Sequence, residues 1–214
     1  KKILITAGPT YEPIDAVRFV GNFSTGKMGI ALANGLAQQG ASVTLVCGPS
    51  SEKNVDHRVN RIDVMTSQEM FESCSKEFPS CDAAILSAAV ADFRPKNVAE
   101  GKIKKETGGI SNLEMEETQD ILASLGKVKK SNQVLAGFAL ETDNESENAQ
   151  HKMKRKNLDF IVMNSLRDAG AGFGTETNKI TVFTSDSKTH NFGLKKKSEV
   201  ATDIIEILYS YLKK

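Results

Sequence analysis

Ile3-Leu4-Ile5-Thr6, near the start of the chain, is the apolar stretch that decides the fold. It is short and rich in β-branched residues, so it predicts a buried strand. Met28, Leu32 and Leu36 then recur at helical spacing. The next β-rich run is Val43–Val46. A strand followed by a helix and a second strand is typical of a parallel sheet covered by helices.

The same alternation continues along the rest of the chain. Further strands are predicted at Val59–Val64, Ala83–Leu86, Val134–Phe138, Leu158–Met163 and Lys179–Thr184, and further helices at Ser67–Phe78, Asp120–Val128, Asn144–Lys156 and Val200–Leu212. Residues 164–178 are rich in glycine and are predicted to be irregular. We therefore predict an α/β fold with a Rossmann-like, mostly parallel sheet flanked by helices. Residues 1–214 are expected to form a single domain, because no linker or internal repeat interrupts them.

Two predicted loops, 7–27 and 87–109, are longer than most connections between a strand and a helix. In a parallel sheet such loops emerge at the carboxyl ends of the strands, where ligands bind. Both contain hydrophobic residues that can anchor them, such as Phe19 and Phe93. We therefore expect ordered loops that bind a ligand.

Charge and hydropathy exclude several classes of protein. The chain has 214 residues, with 28 Lys and Arg against 27 Asp and Glu. This near-neutral balance argues against nucleic-acid binding, which usually requires a strongly basic domain. No apolar run is long enough for a membrane span, and the first residues read as a strand and not as a signal peptide. We expect no membrane association and a cytoplasmic location.

The cysteines and histidines do not form a recognisable metal or disulfide pattern. They are Cys47, Cys74, Cys81, His57, His151 and His190. The cysteines lack a C-x-x-C spacing and are expected to be reduced, and the histidines lack an H-x-x-x-H spacing. No metal centre built by the protein is expected, so any metal should arrive with a substrate.

The glycine-rich segment Gly21–Met28 nearly matches the phosphate-binding P-loop pattern G-x-x-x-x-G-K-[ST]. Met28 replaces the hydroxyl residue that would contact Mg²⁺, and the segment lies well beyond the first strand, so a true P-loop is not favoured. Backbone N–H groups of residues 24–29 and the following helix N-terminus could still bind an anion. The dinucleotide fingerprint G-x-G-x-x-G is absent after the first strand, which argues against nicotinamide chemistry.

Two groups of basic residues are candidates for phosphate binding. Lys102, Lys104 and Lys105 could stabilise charge on a transferring phosphorus, or they could form a solvated surface strand. Lys152 and Lys156 share a helix face, where an anion would relieve their repulsion, although the pattern alone favours a solvated face.

Asp92, a candidate contact for a base or a ribose, follows a buried strand. Its carboxylate could accept a hydrogen bond from either group, or it could cap the loop backbone.

Taken together, these segments resemble the phosphopantothenoylcysteine synthetase family, which is the ligase part of a bacterial bifunctional coenzyme A flavoprotein or stands alone. The resemblance spans nearly the whole chain. Its motifs are Ile5–Thr10, Ile14–Arg18, Asn22–Gly29, Ala88–Arg94, Lys102–Lys105, Gly137–Thr142 and Lys156–Asp159. Ala16 and Thr25 depart from the Pro and Ser that are common in the family, but neither removes a group with an assigned role.

The resemblance implies a two-step amide synthesis with CTP as co-substrate and Mg²⁺ as cofactor. The carboxylate of 4′-phosphopantothenate would attack the α-phosphorus of CTP, giving an acyl-cytidylate and pyrophosphate. The amine of L-cysteine would then displace CMP. The resemblance also implies a homodimer, no FMN in this chain, and fusion to or pairing with a phosphopantothenoylcysteine decarboxylase.

The resemblance also assigns roles to individual residues. Asn22, Arg18 and Lys102 match the catalytic residues, with Asn22 covering the acyl-cytidylate and Lys102 acting in the second half reaction. With the glycine-rich turn included, the candidate nucleotide-binding residues are Ser24, Gly26, Ala88, Asp92, Lys102, Asp120, Ile121, Phe138, Lys152 and Lys156. Asp92 and Phe138 are expected to contact cytidine, and the two helix lysines the triphosphate. Mg²⁺ is expected to bind through the phosphates without dedicated protein ligands.

Two other functions stay open. A non-catalytic nucleotide-binding module would keep the pocket without turnover, but the presence of Asn22 and Lys102 argues against it. An NAD(P)-dependent oxidoreductase of related fold is weakened by the missing glycine fingerprint.

Overall fold

The computed structural model of the chain describes residues 1–107, 110, 112–141, 145–165, 172 and 174–213. The β-strands are β1 (Lys2–Ala7), β2 (Tyr11–Pro13), β3 (Phe19–Gly21), β4 (Ser42–Cys47), β5 (Asn60–Asp63), β6 (Ala83–Leu86), β7 (Phe93–Pro95), β8 (Met115–Glu117), β9 (Val134–Glu141), β10 (Phe160–Ser165), β11 (Thr177–Asn178), β12 (Ile180–Thr184), β13 (Thr189–Asn191) and β14 (Lys195–Lys196). The α-helices are α1 (Lys27–Gln38), α2 (Ser67–Glu77), α3 (Ile121–Val128), α4 (Glu145–Arg155) and α5 (Lys197–Leu212), and short 3-10 helices cover Phe78–Ser80 and Lys105–Thr107.

The main sheet has the strand order β13-β12-β10-β9-β6-β1-β4-β5. Six neighbouring strands of this sheet are parallel, namely β10, β9, β6, β1, β4 and β5. β12 pairs antiparallel with β10, and β13 pairs antiparallel with β12. If these six strands are numbered by their order along the chain, their order across the sheet is 3-2-1-4-5-6, which is the arrangement of doubly wound Rossmann folds. The predicted fold class is therefore confirmed.

Alternation along the first strand builds a core on each face of the sheet. Ile3 and Ile5 pack with buried residues of α1 and α5, whereas Leu4 packs with residues of α2, α3 and α4. Successive side chains of a strand point to opposite faces, so a strand that is apolar throughout is buried between two helical layers. This is why the stretch from Ile3 to Thr6 fixes the architecture.

Both long predicted loops contain short strands. β2 pairs with β3 inside loop 7–27, and β7 pairs with β8, which follows loop 87–109. Residues 108 and 109 lie outside the described residues. Within the segment 164–178, residues 166–171 and 173 also lie outside them, and the segment ends in β11, which pairs with β14. Three-residue strands are too short for periodicity to reveal.

The cysteines are buried and form no disulfide. Burial raises the pKa of the Cys47, Cys74 and Cys81 thiols, to about 12 for Cys74. Buried thiols that stay protonated are poor nucleophiles. Among the described helices, none is long and apolar enough to cross a membrane.

Candidate functional site

A cavity of about 770 Å³ opens at the carboxyl ends of the parallel strands. Strand residues that line it include Thr6 of β1, Leu86 of β6, residues 138–140 of β9 and Asn164 of β10. β1 and β6 are neighbours, but the chain leaves them toward opposite edges of the sheet. Ligands of open α/β sheets bind in the crevice that this reversal creates.

Two buried threonines join the loops that follow β1 and β6. The Ser87 hydroxyl donates to the Thr6 carbonyl at 2.6 Å, and the Ala88 N–H donates to Thr6 Oγ1 at 3.1 Å. The Ala91 N–H donates to Thr10 Oγ1 at 3.0 Å. Because both threonines are almost fully buried, these bonds hold the two loops against each other with little competition from water.

Asn22 lies at the exposed rim of the cavity and is attached to the loop that follows β6. Its Nδ2 donates to the Ala89 carbonyl at 2.9 Å, and the same carbonyl accepts the Thr10 N–H at 3.3 Å. One carbonyl therefore connects three segments of the chain. The Asn22 carboxamide is held in place before any ligand arrives.

The glycine-rich turn leads directly into α1 at the cavity. Gly26 is the residue before the helix and has a φ of 80°, a left-handed conformation that favours glycine. Its N–H donates to Ser24 Oγ at 3.3 Å, and the Thr25 carbonyl accepts from Ser50 Oγ at 2.7 Å. Residues 24–29 all line the cavity. The positive end of the α1 dipole is therefore close to the cavity, which favours an anionic ligand there.

Gly29 allows α1 to pack tightly against the strands. A Cβ atom at this position would lie 2.6 Å from Ala7 Cβ and Ser87 Oγ and 2.7 Å from the Thr6 carbonyl oxygen. Any larger residue would push the helix away from the ends of β1 and β6. In dinucleotide-binding folds a glycine of the fingerprint has the same packing role.

The opposite wall of the cavity brings together α3 and α4. Asp120 caps α3, because its Oδ1 accepts the Ala123 N–H at 2.9 Å, and its Oδ2 lies 2.6 Å from Lys156 Nζ. Burial raises the pKa of Asp120, but the hydrogen bonds from Lys156 and Ala123 and the charge of Lys152 outweigh it, so the pKa is lowered. Lys152 Nζ donates to the Phe138 carbonyl at 3.1 Å. This wall carries two ammonium groups and an ionised carboxylate.

Residues 1–211 match the model of the DNA/pantothenate metabolism flavoprotein C-terminal domain. The chain belongs to this family. It is 53% identical over 205 residues to a cysteine/cysteine sulfinic acid decarboxylase from an unknown prokaryotic organism, a match that covers 96% of this chain and 57% of that protein. It is 44% identical over 206 residues to the coenzyme A biosynthesis bifunctional protein CoaBC of Bacillus subtilis (strain 168), covering 96% and 50%.

A solved member of the family has the same fold. The crystal structure of the C-terminal domain of a coenzyme A biosynthesis bifunctional protein CoaBC matches with a TM-score of 0.85 and 39% sequence identity, covering 100% of this chain and 96% of that one. The chain spans about half the length of the curated relatives described above. Membership in the family agrees with the resemblance inferred from the sequence motifs.

The cavity brings together ten of the twelve residues predicted for the site of this family member. They are Asn22, Ser24, Gly26, Ala88, Asp92, Asp120, Ile121, Phe138, Lys152 and Lys156. They come from five separate stretches of sequence that only the fold assembles. The roles assigned to them stay predictions.

Asp92 is exposed at the end of the loop after β6. The Thr118 N–H donates to its carbonyl at 2.9 Å, and Thr118 Oγ1 donates to the Ala91 carbonyl at 2.6 Å. These two bonds fix the backbone that carries Asp92 against the segment before α3. Its exposed side chain lines the cavity, and its contact with a base or ribose stays a prediction.

Arg18 and Lys102 are not among the residues that line the cavity. The Arg18 guanidinium is paired with Asp15, and its Nη2 donates to the Ile103 carbonyl at 2.9 Å. Lys102 is the exposed neighbour of Ile103. The two predicted catalytic residues are therefore close to each other in the fold, and their roles stay predictions.

Several cavity residues are missing from the sequence-based prediction. Among the residues that the structure describes, Asn164 Oδ1 is the buried side-chain oxygen without a hydrogen-bond partner, and it belongs to the cavity wall. Lys27, which forms an ion pair with Glu176, also lines the cavity. The glycine-rich motif could have suggested Lys27, since it is part of it. A single asparagine at the end of a strand gives no such signal.

Lys197 is a further cavity residue, and it is almost fully buried. Its Nζ donates to the carbonyls of Gly172 at 3.1 Å and Thr175 at 2.7 Å. Burial lowers the pKa of Lys197, and the nearby charge of Lys27 lowers it further. It lies at the first position of α5, where the sequence pattern reads only as a helix start.

The acidic side chains do not form a metal cage in the described part of the chain. No group of three or more His, Cys, Asp or Glu side chains is arranged there to hold a metal ion. Asp92, Glu117 and Asp120 line the cavity, but Asp120 is already paired with Lys156. These donors suit an ion that is held mainly by phosphate oxygens.

Proposed function

We propose that this chain is a phosphopantothenate–cysteine ligase domain that uses CTP and forms an acyl-cytidylate intermediate. The observation that carries the proposal is the single cavity at the strand reversal, which is lined by ten of the predicted residues. The bifunctional coenzyme A biosynthesis protein from Bacillus subtilis, half of which this chain matches, supports the same activity.

The wall formed by α3 and α4 is the proposed nucleotide subsite. Phe138 lines the cavity from β9, and its half-buried side chain packs on the face of the sheet that α1 and α5 cover. Its ring would pack on the pyrimidine, and Asp92 would accept a hydrogen bond from a base or ribose donor. Lys152 and Lys156 would contact the triphosphate, because ammonium groups form strong charge-assisted bonds with phosphate oxygens. The pairing of Lys156 with Asp120 fixes that ammonium beside the cavity.

The glycine-rich turn and Asn22 are the proposed reaction centre. Backbone N–H groups at the start of α1 would stabilise negative charge on the α-phosphate. The Asn22 carboxamide, held through Ala89, would lie over the acyl-phosphate bond. Stabilising charge that develops in the transition state is the main contribution that such donors make to catalysis.

The proposed chemistry requires no nucleophile from the protein. In the first step the phosphopantothenate carboxylate oxygen bonds to the α-phosphorus, and the bond from that phosphorus to pyrophosphate breaks. In the second step the cysteine nitrogen attacks the acyl carbon, the acyl–oxygen bond breaks, and CMP leaves as the nitrogen loses a proton. Positioning and charge neutralisation are sufficient for both steps.

The remaining parts of the proposal concern cofactor and assembly. Mg²⁺ would neutralise phosphate charge and would be held mainly by phosphate oxygens. We propose that residues 1–214 act as one cytoplasmic ligase domain without FMN and form a homodimer. We further propose that this domain works fused to or paired with a phosphopantothenoylcysteine decarboxylase, because its curated relatives are about twice as long.

The decisive experiment incubates the protein with CTP, Mg²⁺, 4′-phosphopantothenate and L-cysteine. CMP and pyrophosphate should appear in equal amounts together with phosphopantothenoylcysteine, and competition between CTP and ATP should favour CTP. If neither CMP nor pyrophosphate forms, the ligase proposal is wrong. Release of CO₂ from cysteine or cysteine sulfinate without CMP would instead favour the activity named for the 53% identical relative.

A further inference from the structure

Asp15 is a buried carboxylate that the proposed chemistry does not use. It is 4% exposed. Its Oδ1 accepts the N–H groups of Val17 and Arg18, both at 2.9 Å. Its Oδ2 accepts Arg18 Nε at 3.0 Å and Nη2, and also the Ile103 N–H at 3.1 Å. The last of these bonds joins segments that are 88 residues apart in sequence.

Arg18 holds the next peptide group of the same distant segment. Its Nη2 donates to the Ile103 carbonyl at 2.9 Å, so both backbone polar groups of Ile103 are bound by the pair of Asp15 and Arg18. A further backbone bond, from the Ala99 N–H to the Ile14 carbonyl at 3.1 Å, fixes the start of the same segment. The segment from Ala99 to Ile103 is therefore attached to the segment from Ile14 to Arg18 at two points.

Charge keeps this arrangement intact at neutral pH. The Arg18 guanidinium lowers the pKa of Asp15 although burial raises it, and the N–H groups of Val17, Ile103 and Arg18 lower it further. Asp15 therefore stays ionised and able to accept all of these bonds. A buried carboxylate with this many donors is a firm attachment point, since removing its charge weakens all of these bonds at once.

We propose that Asp15 is a positioning residue for Lys102. Asp15 accepts the N–H of the peptide that directly follows Lys102, and it also binds the Arg18 guanidinium. The positions of Lys102 and Arg18 relative to each other are therefore fixed. This proposal rests on the ligase function, from which the role of Lys102 is taken. Asp15 itself does not line the cavity.

The chain offers a matched control in Asp56. Its carboxylate accepts Arg58 Nε at 2.9 Å, Nη2 at 2.8 Å and the Arg58 N–H at 3.0 Å, which repeats the local pairing of Asp15 with Arg18. Asp56 is not among the residues that line the cavity. Asp15→Asn and Asp56→Asn therefore remove the same charge from the same kind of pair, but only one of them loosens the segment of Lys102.

The first test measures the two half reactions. We expect Asp15→Asn to lower kcat by about tenfold or more with KM for CTP changed less than about twofold, since positioning is lost and nucleotide binding is not. Pyrophosphate release in the first turnover should persist while amide formation slows, as in Lys102→Gln. The double variant should be no slower than Lys102→Gln alone, because the two changes remove one shared effect. Asp56→Asn should match the wild type.

Two kinetic results would overturn the proposal. One is a folded Asp15→Asn protein with the turnover of Asp56→Asn. The other is a double variant whose loss is the product of the single losses, which would mean that Asp15 and Lys102 act independently.

The second test needs no substrate. Trypsin cleavage after Lys102, followed by mass spectrometry, should be several times faster in Asp15→Asn than in wild type or Asp56→Asn. Equal cleavage rates in Asp15→Asn and Asp56→Asn would show that Asp15 does not hold the segment of Lys102. If Asp15→Asn does not fold, the variant Arg18→Lys replaces it in this test. Arg18→Lys keeps the positive charge but removes the bond from Arg18 Nη2 to the Ile103 carbonyl. A wild-type protein that releases no CMP refutes the ligase function, and the trypsin comparison still decides whether Asp15 holds the segment.

Discussion

The Asp120 carboxylate and the Lys156 ammonium lie 2.6 Å apart, at the start of α3 and directly after α4. The Lys156 side chain is only 10% exposed, whereas that of Asp120 is 47% exposed. A buried ammonium needs an anionic partner, and this carboxylate supplies it at the wall of the cavity. The pair therefore holds a cation ready for a phosphate group.

Replacing Lys156 tests this role. We expect Lys156→Gln to raise KM for CTP about tenfold, which corresponds to about 1.4 kcal/mol, because a charge-assisted bond to phosphate is lost. The fall in kcat should be smaller. The control is Lys154→Gln in α4, two residues earlier, whose exposed side chain does not line the cavity. Steady-state kinetics with varied CTP concentration measure KM for each variant. An equal increase in KM for Lys156→Gln and Lys154→Gln would show that only the overall charge matters.

The lowered pKa of Asp120 predicts a dependence of stability on pH. Its ordinary value is 3.8, and the folded value lies below it. The unfolded chain therefore takes up the proton first, so the contribution of Asp120 is present above about pH 4 and is lost as pH falls through the folded pKa. In Asp120→Asn, which can still cap α3, the unfolding free energy at pH 7 should fall by less than about 1 kcal/mol because solvent screens the half-exposed group.

Denaturant unfolding of both proteins between pH 7 and pH 2 measures this difference. It should shrink toward zero at pH 2, and it should already be small in the Lys156→Gln background. A difference that grows as pH falls would contradict the assignment of the shift to Asp120.

Asn22→Asp is expected to impair catalysis without unfolding the protein. The Nδ2 donor to Ala89 would be replaced by a carboxylate oxygen that repels both that carbonyl and the acyl-phosphate. We expect kcat to fall by about a hundredfold, the usual cost of removing one donor to a developing charge. Asn34→Asp is the matched control, because Asn34 Nδ2 also donates to a carbonyl, that of Asn54 at 2.7 Å. Turnover of Asn22→Asp equal to that of the control would remove Asn22 from the mechanism.

Gly29→Ala is expected to lower stability because its Cβ would lie 2.6 Å from two atoms of the strand ends. Overpacking of this kind costs about 1–3 kcal/mol. Gly193→Ala, where no atom lies within 4 Å, should change stability by less than about 0.5 kcal/mol. Thermal unfolding of the two variants provides the comparison. A Tm for Gly29→Ala equal to that of wild type would mean that α1 can move away from the sheet at no cost.

Sequence reasoning was strongest for the long buried elements. Ala83–Leu86 is predicted and observed with the same bounds, and β5 lies within the predicted Val59–Val64. The hairpins of β2 with β3 and of β7 with β8 were not predicted, because strands of three residues have no detectable period. Their pairing depends on partners that are brought close only by the fold.

The candidate site also contains residues that the sequence predicted and residues that only the structure reveals. Motif resemblance selected ten residues that share one cavity, but it could not reveal Lys197 or Asn164, which reach that cavity from separate elements. It also grouped Arg18 and Lys102 with the others, whereas the structure attaches them to each other through Asp15 and Ile103. A sequence motif records which residue types occur, and distances between motifs require coordinates.

Sequence alone was sufficient for the order of the long strands and helices, the burial of the first strand and the residue types available to bind phosphate. These follow from local periodicity and composition, which act over a few residues. The tertiary structure decided which loops meet at the strand reversal, how Asp120 holds Lys156 and how Asp15 reaches Ile103. Those contacts join residues far apart in sequence, so they exist only once the sheet has fixed the register of its strands.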